Sequence, residues 1–141
     1  MTADDLRLAR QTLSRQKAAF VVVKQGVVLT VENGQGVEPL YTFLKAQPEA
    51  VQGAVLADRI VGRAVAFLAV YFGLDGVFGE ILSEGACQIL ESRAVRCEAQ
   101  NRVPVILNRS GDGPCPIERG LRSISDPERA LTFLRQHGFF H

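Results

Sequence analysis

The stretch GAVLADRIVGRAVAFLAVYFG, residues 53 to 73, decides the fold. It lies between Gly53 and Gly73 and carries charge only at Asp58, Arg59 and Arg63. An aspartate can accept the orphan backbone donors of a first helical turn. The pattern therefore predicts a helix from near Asp58 to about Phe72, stopped by Gly73. Nearly every face past Arg63 is apolar, which places this helix in the middle of the domain. Its apolar heart, AVAFLAVYF at 64–72, is too short to cross a bilayer.

Upstream, residues 3 to about 16 read as a helix, with Leu6, Leu8, Ala9 and Leu13 as its apolar positions. Thr2 can cap it, and Asp4 and Asp5 suit its first turn. The β-branched runs AAFVVV (18–23) and VVLTV (27–31) flank KQG and predict a tight hairpin. ENGQG, 32–36, is a loop. VEPLYTFLKA, 37–46, puts Leu40, Phe43 and Leu44 on one helical face, and Pro48 closes that element.

Downstream, GVFGEIL (76–82) has the length of a strand, and SEGACQILES (83–92) opens with a capping serine and an acid, as a helix does. AVRCEA is a strand, and VPVILN (103–108) is expected to extend it or to form the next. A short helix is expected from Cys115 to about Ser123, with Pro116 in its first turn. A final helix runs over 126–138, capped by Asp126 and ended by Gly138. This order implies an α/β protein, a three-layer α/β/α sandwich with helices on both faces of the sheet. Residues 1–141 make one domain, of which 1–17 form an N-terminal helix.

With 47% hydrophobic residues the chain is globular rather than disordered. Its net charge of +1 supplies no field for nucleic acid or an anionic membrane, so neither is an expected partner. The opening MTADDLRLARQTLSRQ lacks the apolar core of a signal peptide, and a cytoplasmic protein is expected. The three cysteines, Cys87, Cys97 and Cys115, form no C-x-x-C pair, and the histidines stand at His137 and His141. Reduced thiols are the default reading.

Taken together, LYTFLKA, GAVLADRIVGRAVAFL, ILSEGACQILES, VPVILNRSGDGPCPIE and DPERAL resemble one family. It is a domain-of-unknown-function family numbered 1893, whose fold resembles cytidine deaminases. The likeness runs from roughly Phe20 to Leu134. It implies a cytidine-deaminase-like mixed sheet and a cavity at the site where deaminases hold zinc. True deaminases use an H/C-x-E motif at one helix start and P-C-x-x-C at the next. Here ADR (57–59) and SEGAC (83–87) stand at the positions assigned to those starts, and only one thiol is present. A catalytic zinc needs three protein ligands, so no metal and no cofactor are expected there.

If that fold holds, the starts of the 58–72 and 83–92 helices and the loop 108–115 converge on the cavity. Candidate catalytic residues are then Cys115, Asp58 and Glu118. Candidate ligand-binding residues are Arg59, Glu84, Asn108, Arg109, Gly111 and Asp112. Each has a plainer explanation. Asp58 caps its helix, Arg59 pairs on the surface, and Ser83 with Glu84 makes an ordinary helix start. Cys87 and Cys97 fill core positions.

Cys115 stands at a helix start after GDGP, where backbone donors favour a thiolate, while Asp112 and Glu118 oppose it. The NRSGDGP loop can turn its amides to an anion, with Arg109 as a forked donor, although it is not a P-loop. Three functions remain open. One is binding of a small anionic or nucleotide-like ligand. Another is a Cys115-dependent transferase or hydrolase acting on a nucleotide-related or amide substrate. The third is a non-catalytic interaction module.

Overall fold

The computed structural model describes residues 2–34, 36–107 and 110–138. Eleven elements follow one another: α1 (Thr2–Gln16), β1 (Phe20–Lys24), β2 (Val27–Glu32), α2 (Val37–Ala46), β3 (Val55–Val61), α3 (Arg63–Tyr71), β4 (Gly76–Ser83), α4 (Glu84–Ser92), β5 (Arg96–Val103), α5 (Pro116–Leu121) and α6 (Pro127–Gln136). The five strands form one sheet in the order β2-β1-β3-β4-β5. β1 is antiparallel to β2 and to β3, whereas β3, β4 and β5 run parallel. This mixed sheet with helices on both faces is the α/β sandwich the element order implied.

Residues 53–73 do not form one helix. Val55–Val61 is the central strand, and α3 begins only at Arg63. Two neighbours impose the strand: Asp58 pairs with Phe20 on β1 and with Gly79 on β4. The β-branched and aliphatic side chains on both sides of 55–61 suit a strand buried between two others. Gly62 is the junction: it is the extended N-cap of α3. Asp58 therefore caps nothing.

Alternation along the strands divides the core in two. Phe20, Val22 and Leu56 face the larger cluster, which α2, α3, α4, α5 and α6 complete. Val21, Val23, Val55, Ala57 and Phe78 face α1, which covers them with Leu6, Ala9 and Leu13. Both parallel crossovers step the same way along the sheet, so α3 and α4 share a face and pack on each other.

The β1–β2 hairpin turns through Gln25 and Gly26, both at positive φ. That is the geometry a two-residue turn between twisted strands requires. A second device holds it. Asp5 on α1 is buried, and its carboxylate accepts hydrogen bonds from Gln25 N (3.0 Å) and Gly26 N (2.9 Å). The aspartate of a first helical turn thus ties the opposite layer to the hairpin.

β5 reaches Val103 and stops at Pro104, which lacks the N–H a ladder needs. The expected strand over 103–108 is absent among the described residues; Leu107 makes only an isolated bridge to Pro114. The remaining starts behave as their residue types dictate. Ser83 Oγ accepts from Ala86 N (3.1 Å), and the Asp126 carboxylate accepts from Glu128 N (3.3 Å).

Asp5→Ala leaves two turn amides without their acceptor. It is expected to lower stability by about 1–3 kcal/mol, read as a lower urea midpoint at unchanged slope.

Candidate functional site

A cavity of about 680 Å³ opens at the carboxyl end of β3. Its position follows from the chain path. β3 ends, Gly62 turns the backbone into α3, and the neighbouring start of α2 leaves a gap over the sheet. Ligands of open α/β sheets favour this end of the strands. Phe20, Val37, Val65 and Ile117 give it apolar walls. Asp58, Cys115 and Glu118 are polar groups in the lining, and exposed Lys17 and Asn33 lie at the edge.

Asp58 shares the sheet face of Leu56 and Phe20, so it sits on the cavity side of β3. Burial pushes its carboxyl up to about 7 from an ordinary 3.8. The backbone amides of Ile60 and Arg59, and the charge of Arg59, pull only partly the other way. A carboxyl titrating near neutrality can give or take a proton under physiological conditions.

Arg59, the next residue, faces the α1 layer. Its guanidinium donates to Ala18 O (2.7 Å), to Leu13 O (3.1 Å) and to the Glu80 carboxylate. Although Arg59 lies in the cavity lining, its charge is committed to tying the end of α1 to the sheet.

Glu118 is buried, and its partners lie at the starts of α3 and α4. Its carboxylate accepts from Arg63 N (2.6 Å) and from the Arg63 guanidinium (3.0 Å), with Ser83 Oγ at 3.5 Å. Gly62, the N-cap of α3, has no side chain to cap with, so an acid from α5 does it. Two glycines make the room. A Cβ at Gly62 would collide with the Glu118 carboxylate, and one at Gly85 with the Arg63 guanidinium. Sequence reasoning missed Arg63 and this pairing; the glycine immediately before it was the available signal.

Cys115 is half-buried in the cavity lining, at the N-cap of the six-residue α5. Its amide donates to Ile106 O at 2.8 Å. Asp58, Glu118 and Cys115 thus line one cavity. Glu84 does not: it is exposed on α4 and pairs with Arg102 at 3.2 Å. Gly111 and Asp112 lie outside the lining too, in a turn where Ser110 Oγ donates to Asp112 at 3.2 Å. Asn108 and Arg109 fall outside the described residues.

The helices whose first turns reach the cavity are α2, α3 and α5, whereas α4 does not reach it. Their openings read Gly36-Val37-Glu38, Gly62-Arg63-Ala64 and Cys115-Pro116-Ile117, with a single thiol and no histidine. Among the described residues, the cavity acids and Cys115 do not converge as a metal-ligand set. Gly36, at φ 89°, is the N-cap of α2 and has no side chain to cap with; Gly36 and Val37 line the cavity, and Pro39 in the same turn carries no N–H.

The sheet and the apolar hollow with one titrating acid define an α/β domain with a candidate small-molecule pocket. The model of the family described as Domain of unknown function (DUF1893) matches residues 8–137, and the chain belongs to that family. Among solved structures, it is similar to the crystal structure of a DUF1893 family protein from Thermotoga maritima. The two are 19% identical, the match covers 95% of this chain and 90% of that chain, and the TM-score is 0.86. That likeness is one of fold. No curated protein matches the chain. Among the described residues no helix is long and apolar enough to cross a membrane.

Two outcomes are expected at this site. Glu118→Ala strands a largely buried guanidinium and should cost about 3–5 kcal/mol in chemical denaturation. Asp58→Asn should change the pH profile of stability. Well below pH 3.8 the Asp58 carboxyl is protonated in both folded and unfolded chains. Between pH 4 and 7 the unfolded chain ionises first, so wild-type stability falls as pH rises. The variant should match wild type at pH 3.5 and exceed it by roughly 2–4 kcal/mol at pH 8, read from denaturation at each pH.

Proposed function

We propose that this domain binds a small nucleotide-like ligand in the β3–α3 cavity. The observation that carries the reading is the pairing of groups in one hollow. Apolar walls of Phe20, Val65 and Ile117 suit a flat ring. Asp58 beside them suits the ring's N–H donors, and the start of α2, where Gly36 and Val37 line the hollow, suits an anionic group. Lys17 at the edge adds a positive charge for the same group. Arg59 is not the anion receptor, since its guanidinium is spent on Leu13, Ala18 and Glu80.

The sheet order, with an antiparallel hairpin beside three parallel strands, supports a cytidine-deaminase-like reading of the fold. The donor set does not fit a deaminase zinc, because the helix openings at the cavity offer one thiol, Cys115, and no imidazole. A ligand-binding role is therefore favoured over hydrolytic deamination.

One observation favours a second reading. Asp58 and Cys115 line the same cavity, so a nucleophile and a proton carrier are both available to a bound substrate. In that case the Cys115 thiol would attack the substrate's carbonyl carbon, Asp58 would take the thiol proton and return it to the departing amine, and water or an acceptor would then cleave the thioester and restore the thiol.

A thermal-shift series with nucleosides, nucleotides and phosphorylated metabolites tests the binding role. At least one nucleotide should raise the melting temperature, and Val65→Trp, which fills the hollow, should abolish the shift. A flat response across the series sinks the proposal. Turnover of the bound compound, rather than iodoacetamide labelling, separates the two readings. Protection of Cys115 by the ligand is expected in both, whereas consumption of that compound lost in Cys115→Ser marks catalysis.

A further inference from the structure

We infer that the α4–β5 seam is a site for a thiophilic divalent cation, with Zn²⁺ the best-fitting ion, held by Cys87, Glu91 and Cys97. The site lies apart from the β3–α3 cavity, and none of its three residues belongs to that lining.

The chain brings the donors together by ordinary geometry. Cys87 and Glu91 are four apart on α4 and so share one helical face. Cys97 lies on the neighbouring β5. Cys87 Sγ is 3.5 Å from Cys97 Sγ and 2.7 Å from Glu91 Oε1, and the three donor atoms lie within 4.8 Å of one another. Two thiolates at about 2.3 Å from a tetrahedral Zn²⁺ stand about 3.8 Å apart. The pair is thus already near a chelating separation. Side-chain rotation of the exposed Glu91 opens the remaining space.

Ligand chemistry and charge agree with this ion. Sulfur donors select thiophilic metals, and a carboxylate completes a three-ligand set. Two thiolates and one carboxylate carry three negative charges; a divalent ion neutralises two, and the Arg102 guanidinium, shared with Glu84, offsets part of the third. Arg102 is in place: its guanidinium lies 2.9 Å from Cys87 Sγ and 3.2 Å from the Glu84 carboxylate. An N–H donor on a metal-bound sulfur is the usual outer partner of such a ligand. Cys87 is buried and Cys97 half-buried, so the sulfurs are shielded, while exposed Glu91 leaves the fourth position to water. Binding releases the thiol protons to solvent, and no oxidant is needed.

The test is titration of the full, fully reduced protein with Co²⁺, followed by displacement with Zn²⁺. One equivalent of Co²⁺ should give the thiolate charge-transfer band and the intense visible bands of tetrahedral cobalt, and Zn²⁺ should bleach them. Cys97→Ser and Cys87→Ser should lose the band. Glu91→Gln, an exposed substitution that leaves the fold intact, should weaken Co²⁺ affinity by about tenfold or more. Cys115→Ser should retain both band and affinity. Absence of the band in reduced wild-type protein overturns the inference. So does a band that survives Cys97→Ser, or one that Cys115→Ser removes.

Discussion

The contact on which most of this structure depends joins Glu118 to the start of α3. α3 is the buried helix of the larger layer, yet its N-cap is a glycine. Its first-turn donor must find an acceptor from elsewhere, because an unpaired buried N–H costs about as much as a lost hydrogen bond. Glu118 supplies it and also neutralises Arg63. The acid comes from a six-residue helix far along the chain, so one carboxylate fastens the C-terminal segment to the centre of the domain. Gly62 and Gly85 are small because this pair needs the volume. Ser83, which caps α4, touches the same carboxylate. Two helix starts thus meet at one anionic point, and the cavity wall is built on it.

This arrangement separates charges that are available to a ligand from charges that are not. Four charged side chains surround the end of β3: Asp58, Arg59, Arg63 and Glu118. Three of them are consumed by the fold itself. Asp58 differs, because burial outweighs the Ile60 and Arg59 amides and the Arg59 charge and raises its carboxyl. Proximity of a basic residue to a hollow is therefore a poor guide to anion recognition, and the direction of each guanidinium decides.

Much of the architecture was legible in local pattern. The hairpin, the helices at 37–46, 83–92 and 127–136, and the layering follow from β-branched runs, caps and helical spacing. Residues 55–61 were misread because their pattern is ambiguous. A short apolar run bounded by glycine suits a central strand or a buried helix, and only pairing with Phe20 and Gly79 settles which. Reading Asp58 as a cap hides Gly62 as the junction. The cavity helices then shifted by one element. Asp58, Cys115 and Glu118 were still placed on the cavity, since loop ends and acids beside helix starts survive that shift. Arg63 and the Cys87–Glu91–Cys97 set were invisible because they depend on contacts between elements rather than on spacing along one.

The opposed directions of Asp58 and Arg59 have a consequence for strand alignment. Moving β3 by one residue would exchange their sides of the sheet. The guanidinium would lose its Leu13, Ala18 and Glu80 acceptors for a largely apolar hollow, and the carboxylate would meet the carbonyl oxygens of Leu13 and Ala18. The first change costs desolvation and the second is repulsive. Two adjacent ionisable residues thus act as a lock against slippage in a strand whose other side chains are nearly interchangeable aliphatics.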